Sequence, residues 1–209
     1  CSAKVSDGMR IFTENERVIN ARKNILDLIL ADHDFDCPNC PKNGVCRLQE
    51  YCLKYDIKKS SYTRKSKIFD IDTSNNFYSF NPNRCILCRK CVRVCRELQG
   101  RDVLTASGRG VFTHIEPPFN TGLGNSRCVS CGNCISVCPV GALVPKRNIP
   151  FENDEIKKTR TTCVYCGVGC QMNLLTKGNK VVGTEPLDMV PNNGLLCVKG
   201  AFAYNFINH

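Results

Sequence analysis

Apolar residues recur at helical spacing most clearly near the N-terminus. Val18, Ala21, Ile25, Leu28 and Ile29 predict an amphipathic helix over 14–32. Thr13 and Glu16 form a T-x-x-E capping-box pattern at its start, and the stripe reads most simply as core packing. Before it, "GMRIFT" (8–13) reads as a short strand. "VLTASGRGVFTHI" (103–115) predicts two strands around a Gly-rich turn. "MNLLTKGNKVVGTE" (172–185) predicts a second hairpin with Lys-Gly-Asn at its tip. The apolar run "NILDLILA" is broken by Asp27 and falls far short of the roughly 20 residues a bilayer requires, so no membrane span is expected. "KYDIKKSSYTRKSK" (54–67), basic with one Asp, reads as a solvated linker, with a docking patch for an acidic partner as the sharper alternative. A second polar stretch, "KRNIPFENDEIKKTR" (146–160), reads as a domain boundary.

Composition changes this picture. Of 209 residues, 17 are cysteine, a density that means either a disulfide scaffold or metal ligation. The odd count, the lack of a secretory signal peptide and the tight C-x2-C groups favour metal. They also predict a soluble chain in a reducing compartment, the cytoplasm. The formal charge of +10 looks like a nucleic-acid footprint, but that count treats every thiol as neutral. A [4Fe–4S] core held by four thiolates carries about −2, and one held by three thiolates and an imidazole about −1. Four such cores would bring the net charge from +10 to roughly +3, and no nucleic-acid partner is expected.

The chemistry lies in the spacing. Residues 85–95, "CILCRKCVRVC", and 128–138, "CVSCGNCISVC", form an internal repeat, each C-x2-C-x2-C-x3-C. This is the bacterial ferredoxin signature, in which three close cysteines hold corners of one cubane and the fourth serves the other cluster. One cluster is expected on Cys85, Cys88, Cys91 and Cys138, and the other on Cys128, Cys131, Cys134 and Cys95. Pro139 follows Cys138 as the motif expects, whereas Arg96 stands where a second proline is common. Zinc sites pair two C-x2-C knuckles rather than runs of four. "CVYCGVGC" (163–170) with Cys197 supplies a further set, Cys163, Cys166, Cys170 and Cys197. Its Gly167 and Gly169 let the backbone fold close around an inorganic core, and spacing alone admits zinc or iron–sulfur. "HDFDCPNCPKNGVC" (33–46) places His33 four positions ahead of Cys37, with Cys40 and Cys46 following. Taken alone, this fits a structural zinc or an iron–sulfur site with one imidazole. A packing histidine at a helix end is the simplest isolated reading of His33.

"TTCVYCGVGCQMNL", "PNNGLLCVKG" and "FAYNFINH" resemble the N-terminal [4Fe–4S] region of molybdenum- or tungsten-pterin oxidoreductases, formate dehydrogenase catalytic (alpha) subunits in particular. The motif at 33–46 is similar to the His/Cys cluster motif of those enzymes, of the large iron–sulfur subunit of NADH–quinone oxidoreductase, and of iron-only hydrogenases. The ordered motifs cover essentially the whole chain. The resemblance implies that His33, Cys37, Cys40 and Cys46 hold a [4Fe–4S] cluster and that the Cys163 set holds another. It places Lys199 between that last cluster and a pterin, where its charge would stabilise an added electron. It also implies a Mo or W bis-pterin guanine dinucleotide in a downstream part. Cys1 resembles the last ligand of a plant-type [2Fe–2S] domain lying upstream. The start at Cys1 without methionine and the end at "AYNFINH" look like those of a segment of a longer polypeptide. Cys52 has no motif partner and reads as a buried structural thiol.

The expected fold is α+β, built of small cluster-nucleated domains in series. Residues 1–80 would carry the end of a [2Fe–2S] ferredoxin-type domain plus the His/Cys3 domain. Residues 81–150 would form a 2[4Fe–4S] ferredoxin-like domain, and 151–209 a truncated, small β-rich [4Fe–4S] domain of a molybdopterin oxidoreductase. The function implied is an electron relay from formate oxidation at the pterin, with no catalytic residue in this segment. It would run through the Cys163 cluster, the ferredoxin pair and the His33 cluster to a diaphorase-type or ferredoxin-reducing subunit. Alternatives are the NADH–quinone oxidoreductase subunit, a free-standing polyferredoxin-type carrier and, from a different class, a zinc-dependent nucleic-acid binder. "CVYCGVGC" and "CVKGAFAYNFINH" lean toward formate dehydrogenase. A pterin-type region after the ferredoxin pair speaks against iron-only hydrogenase.

Overall fold

The computed structural model describes residues 3–62, 68–146 and 155–209. Cys1, the basic tail of the 54–67 stretch at 63–67, and residues 147–154 of the 146–160 connection lie outside the described residues.

Helix α1 runs Glu16–Leu30, two residues shorter at each end than the 14–32 expected. Its N-cap is Asn15, whose side chain accepts the Val18 N–H at 2.9 Å. The T-x-x-E pattern loses to it because Asn is the stronger cap. The buried face also differs from the stripe expected. Leu26 and Leu30 turn inward with Ile19 and Ile29 beside them, while Ile25 and Leu28 are each 57 % exposed. The run "NILDLIL" is apolar on two faces, so its period does not choose between them. The choice is made by the shared core with Leu48 and Cys52 of α2, Arg47–Lys54, and with Tyr55 beyond it. Arg22 Nη1 donates to the Tyr55 hydroxyl at 3.1 Å.

No strand forms at 8–13, where Met9, Ile11 and Phe12 are exposed and no ladder partner is present among the described residues. The described start of the basic stretch is tied down rather than free. Ser60 Oγ donates to the Asp27 carbonyl at 3.0 Å and the Ser61 N–H to the Asp27 carboxylate at 2.7 Å.

The middle of the chain is closed by an antiparallel pair, β1 (Tyr78–Phe80) and β4 (Leu143–Pro145), with Tyr78 opposite Pro145 and Phe80 opposite Leu143. Between them lie α3 (Lys90–Arg93) and α4 (Asn133–Val137), together with the predicted hairpin of β2 (Thr105–Ser107) and β3 (His114–Glu116). One apolar cluster joins Leu26, Leu30 and Leu48 to Tyr78, Phe80, Ile115, Leu123, Val140 and Leu143.

The C-terminal part is a three-stranded antiparallel sheet in the order β5 (Ile156–Thr162), β6 (Gln171–Lys177), β7 (Lys180–Pro186), followed by α5 (Val198–Phe202). The β6–β7 hairpin is the one expected, and Gly178 supplies the positive φ of its turn. Strand β5 corrects the reading of 146–160 as a polar connection throughout. "IKKTRTT" is an edge strand, largely exposed, so it carries no apolar alternation to betray it. A separate small core of Cys163, Met172 and Leu196 holds this part together. Among the described residues no helix is long and apolar enough to cross a membrane.

Candidate metal centres

Every described cysteine is free of a disulfide. The two halves of the repeat open with the same backbone turn. Leu87 and Ser130, each two residues after the first cysteine, take φ +54 and +53. Arg89 and Gly132, the N-caps of α3 and α4, take φ +58 and +80. In this left-handed geometry the backbone turns its N–H groups inward. The Leu87 N–H lies 3.4 Å from Cys85 Sγ, and the Ser130 N–H 3.3 Å from Cys128 Sγ. A bulky Leu at positive φ is strained, and here the strain shapes a thiol-facing turn.

Cys85, Cys88, Cys91 and Cys138 are mutual neighbours. Burial pushes the Cys91 thiol up to about 12, with Cys85, Cys138 and Cys88 adding to it. Burial likewise pushes Cys85 up to about 11. The second set is Cys128, Cys131, Cys134 and Cys95. All four line one cavity, walled by Tyr78, Val94, Val103, Leu104 and Leu123. Cys134 is pushed well up by burial, then by Cys131, Cys91 and Cys128. Cys95 reaches this set because α3 widens into a π-turn at Val94–Leu98, closed by Gln99 N–H to the Val94 carbonyl at 3.0 Å. Such a bulge re-aims a side chain within a helix.

Around the second set lie residues that carry no signal in the cysteine spacing. The Tyr78 hydroxyl is 3.0 Å from Cys128 Sγ, and burial followed by the neighbouring Cys134 keeps its proton on. Asn75 Nδ2 donates to Ser130 Oγ at 2.9 Å and stands 4.0 Å from Cys128 Sγ.

Cys163, Cys166, Cys170 and Cys197 converge at the mouth of the C-terminal sheet. The Cys163 N–H bonds the Cys170 carbonyl at 2.8 Å, which closes the loop between β5 and β6. Cys170 is pushed up by burial, then by Cys163, Cys166 and Cys197. The 187–197 loop is delivered by Asn192, which accepts the Gln171 N–H at 2.6 Å and donates to the Leu195 carbonyl at 3.0 Å. The "PNNG" segment was visible in the sequence, but this role was not. Gly200 packs under the same site, where a Cβ would sit 3.2 Å from Leu196 Cδ2 and in ordinary contact with Cys163 Sγ at 3.6 Å. Lys199 lies two residues past Cys197, on the first turn of α5.

Cys37, Cys40 and Cys46 form the remaining group. Cys37 is raised by burial, then by Cys46 and Cys40, and drawn down by Arg84. His33 follows α1 with its Nδ1 shielded from solvent. The next residue, Asp34, is anchored by its N–H to the Asn83 carbonyl at 2.8 Å and lies 3.8 Å from Arg84 Nε. Cys52, buried as expected, is pushed up to about 11 by burial, then by Cys37 and Cys46; it therefore sits nearer this group than its lack of a motif implies.

The groups touch in series. A Cβ at Gly141 would run into Cys40 Sγ, and Cys46 Sγ lies 3.9 Å from the Pro139 carbonyl, both just beyond Cys138. Cys91 and Cys134 are neighbours across the repeat. Asn133 accepts the Leu196 N–H at 3.0 Å, and a Cβ at Gly132 would meet Phe202 of α5 at 2.9 Å.

These donors fit iron–sulfur cores: thiol-rich sets, apolar walls, and N–H or O–H groups aimed at sulfur. Among the described residues no three His, Cys, Asp or Glu side chains converge on a point for one metal ion, and a cubane held at its corners asks for no such convergence.

Comparison with known proteins gives three family matches in chain order. Residues 22–61 match the NADH-ubiquinone oxidoreductase-G iron-sulfur binding region. Residues 76–144 match the ferredoxin-like domain of NADH-quinone oxidoreductase subunit 3, and 156–209 the molybdopterin oxidoreductase Fe4S4 domain. The alpha subunit of the NADPH-Fe(3+) oxidoreductase of Geobacter sulfurreducens is 33 % identical over 100 % of this chain and 24 % of that protein. A G-type NADH-quinone oxidoreductase subunit of Rhizobium meliloti, the second of that type by its name, is 35 % identical over 99 % of this chain and 24 % of its own length. A Staphylococcus haemolyticus protein provisionally named a formate dehydrogenase is 28 % identical over 100 % and 25 %. The chain thus spans about a quarter of these relatives. A chain in the crystal structure of an NAD+-reducing [NiFe]-hydrogenase superposes with TM-score 0.67 at 28 % identity, over 74 % of this chain and 66 % of that one. With three iron–sulfur domain types matched in one order, the chain is an iron–sulfur segment similar to those of NADH–quinone oxidoreductase G-type and formate dehydrogenase-type subunits.

Proposed function

We propose that this chain is an electron relay with one [4Fe–4S] cluster per donor set, within a formate dehydrogenase-type polypeptide. Each cluster, when bound, supplies a one-electron couple. The ligands would be His33, Cys37, Cys40 and Cys46; Cys85, Cys88, Cys91 and Cys138; Cys128, Cys131, Cys134 and Cys95; and Cys163, Cys166, Cys170 and Cys197.

The observation that carries this reading is the unbroken series of contacts from Cys40 and Gly141 through Cys91 and Cys134 to Asn133 and Leu196. A storage or structural role would not require four thiol sets in a row. The protein's work is to hold the thiolates, exclude water and hydrogen-bond the sulfurs, since no bond to an organic substrate changes here. Exposed Cys166 and Cys197, with Lys199 two residues past Cys197, would face a Mo or W bis-pterin guanine dinucleotide held by a downstream part. The His33 end would face a diaphorase-type or ferredoxin-reducing subunit. Cys1 would complete a [2Fe–2S] site upstream, and a reducing cytoplasm would keep the thiols available.

Iron and acid-labile sulfide should each come to about sixteen per chain after anaerobic reconstitution, four cubanes of four. Fewer than about twelve iron atoms, or zinc in stoichiometric amount, would sink the four-cluster reading.

The second reading is a G-type subunit of NADH–quinone oxidoreductase, supported by the two matching domain models and the relative at 35 % identity. Adding formate to the full-length polypeptide separates the two. Reduced cluster signals are expected under the first reading and none under the second.

A further inference from the structure

Asn133 lies between Cys131 and Cys134, and its side chain is 1 % exposed. The Leu196 N–H donates to its Oδ1 at 3.0 Å. Because an N–H can bond only the oxygen of an amide, this contact fixes which way the group faces. Its Nδ2, on the other branch of the same amide, is shielded from solvent and without a hydrogen-bond partner among the described residues. Asn133 lines the cavity bounded by Cys95, Cys128, Cys131 and Cys134. Buried donors are rarely left unmade in native proteins, and the sulfurs of a core in that cavity are acceptors. The equivalent position in the other half of the repeat is Lys90, which is exposed, so the feature belongs to one half alone.

Resting on the four-cluster reading above, we propose that Asn133 joins two neighbouring centres: its oxygen holds Leu196, and with it Cys197, while its amide N–H donates to sulfur in the Cys128 centre. Hydrogen bonds to sulfur stabilise the more negative reduced state and raise the potential. Asn133 is thus a positioning residue that makes the centre beside the C-terminal unit easier to reduce. Its oxygen simultaneously fixes the contact through which that unit is joined.

The test uses the fully iron-loaded chain. With asparagine labelled by 15N, pulsed paramagnetic resonance on the reduced Cys128 centre should detect an amide nitrogen coupling that Asn133→Asp abolishes. Asn133→Asp keeps the acceptor, so the Leu196 amide should stay protected from hydrogen exchange. Asn133→Leu removes donor and acceptor without adding charge. It should lower that centre's reduction equilibrium constant about tenfold, which is about 59 mV for one electron, and speed Leu196 exchange. No asparagine coupling in the unmodified chain, or an unchanged potential in Asn133→Leu with iron intact, overturns the proposal. Fewer than four cubanes in the unmodified chain would instead overturn the reading on which it rests.

Discussion

The Tyr78 hydroxyl is buried and lies 3.0 Å from Cys128 Sγ, within hydrogen-bond reach of the thiol. Its ring stands 6.3 Å from Phe202, which also stacks on Phe77 at 5.0 Å, so the ring is held independently of the hydroxyl. Tyr78→Phe should therefore preserve the fold and all four clusters while lowering the potential of the Cys128 centre alone. A redox titration followed by paramagnetic resonance checks this, and an unmoved signal would show that the hydroxyl contributes nothing to the loaded site. The cysteines can be sorted in the same way. Cys52→Ser should leave the iron content unchanged, although the thiol is 3 % exposed and close to Cys37 and Cys46. Cys170→Ser should lose or convert one cubane. Loss of a whole cluster in the Cys52 variant would show that Cys52 is a ligand.

At the scale of elements, the joints between units are made by residues small enough to let a thiol or an aromatic ring approach. Gly141 does not need a glycine's φ, but it does need the space, because a Cβ there would run into Cys40 Sγ with Lys42 Cβ at 3.6 Å. Gly141→Ala should cost about 1–3 kcal/mol in overpacking and loosen the Cys37–Cys46 group selectively. Denaturant titration and iron analysis should report lower stability and the loss of iron from one centre, with the C-terminal centre intact. Full iron content and unaltered stability in Gly141→Ala would mean that the joint is not tight. The π-turn at Val94–Leu98 is the other device of this scale, since it is what carries Cys95 across to the Cys128 set.

For the molecule as a whole, metal loading requires that buried thiols be ionised. Burial and neighbouring thiols push Cys85 up to about 11 and Cys91 up to about 12. In the unloaded chain both are therefore neutral at pH 7, and their protons must leave before they can ligate. A raised pKa favours the protonated form, so lower pH opposes loading and higher pH favours it until these thiols ionise unaided at about 11–12. Reconstitution followed in a weakly buffered solution should release protons as iron enters, and apparent iron affinity should rise between pH 7 and 9. An affinity independent of pH over that range would mean that the thiols are already ionised.

How much of this was legible in the chain depends on whether the information was local. Cysteine spacing is local, so the repeat, the C-terminal set and the His33 motif could be read from residue numbers, and the structure brings the cysteines of each group near one another. The two hairpins were equally legible, because alternation and a Gly-bearing turn lie within one short window. The inward face of α1 was not, since "NILDLIL" offers two apolar faces and only the core shared with α2 picks Leu26 and Leu30. Strand β5 was hidden because an exposed edge strand has no burial pattern to display. Tyr78, Asn133 and Asn192 were unreadable for a different reason: each acts on a residue distant in sequence or carries no signal beyond its own polarity. The sequence by itself determined how spacing groups the thiols, because the reach of a short loop is written in the number of residues between its cysteines. Only the tertiary structure decided how the four groups are joined and which of them receives extra hydrogen bonds, because those contacts arise from packing between segments that the chain separates.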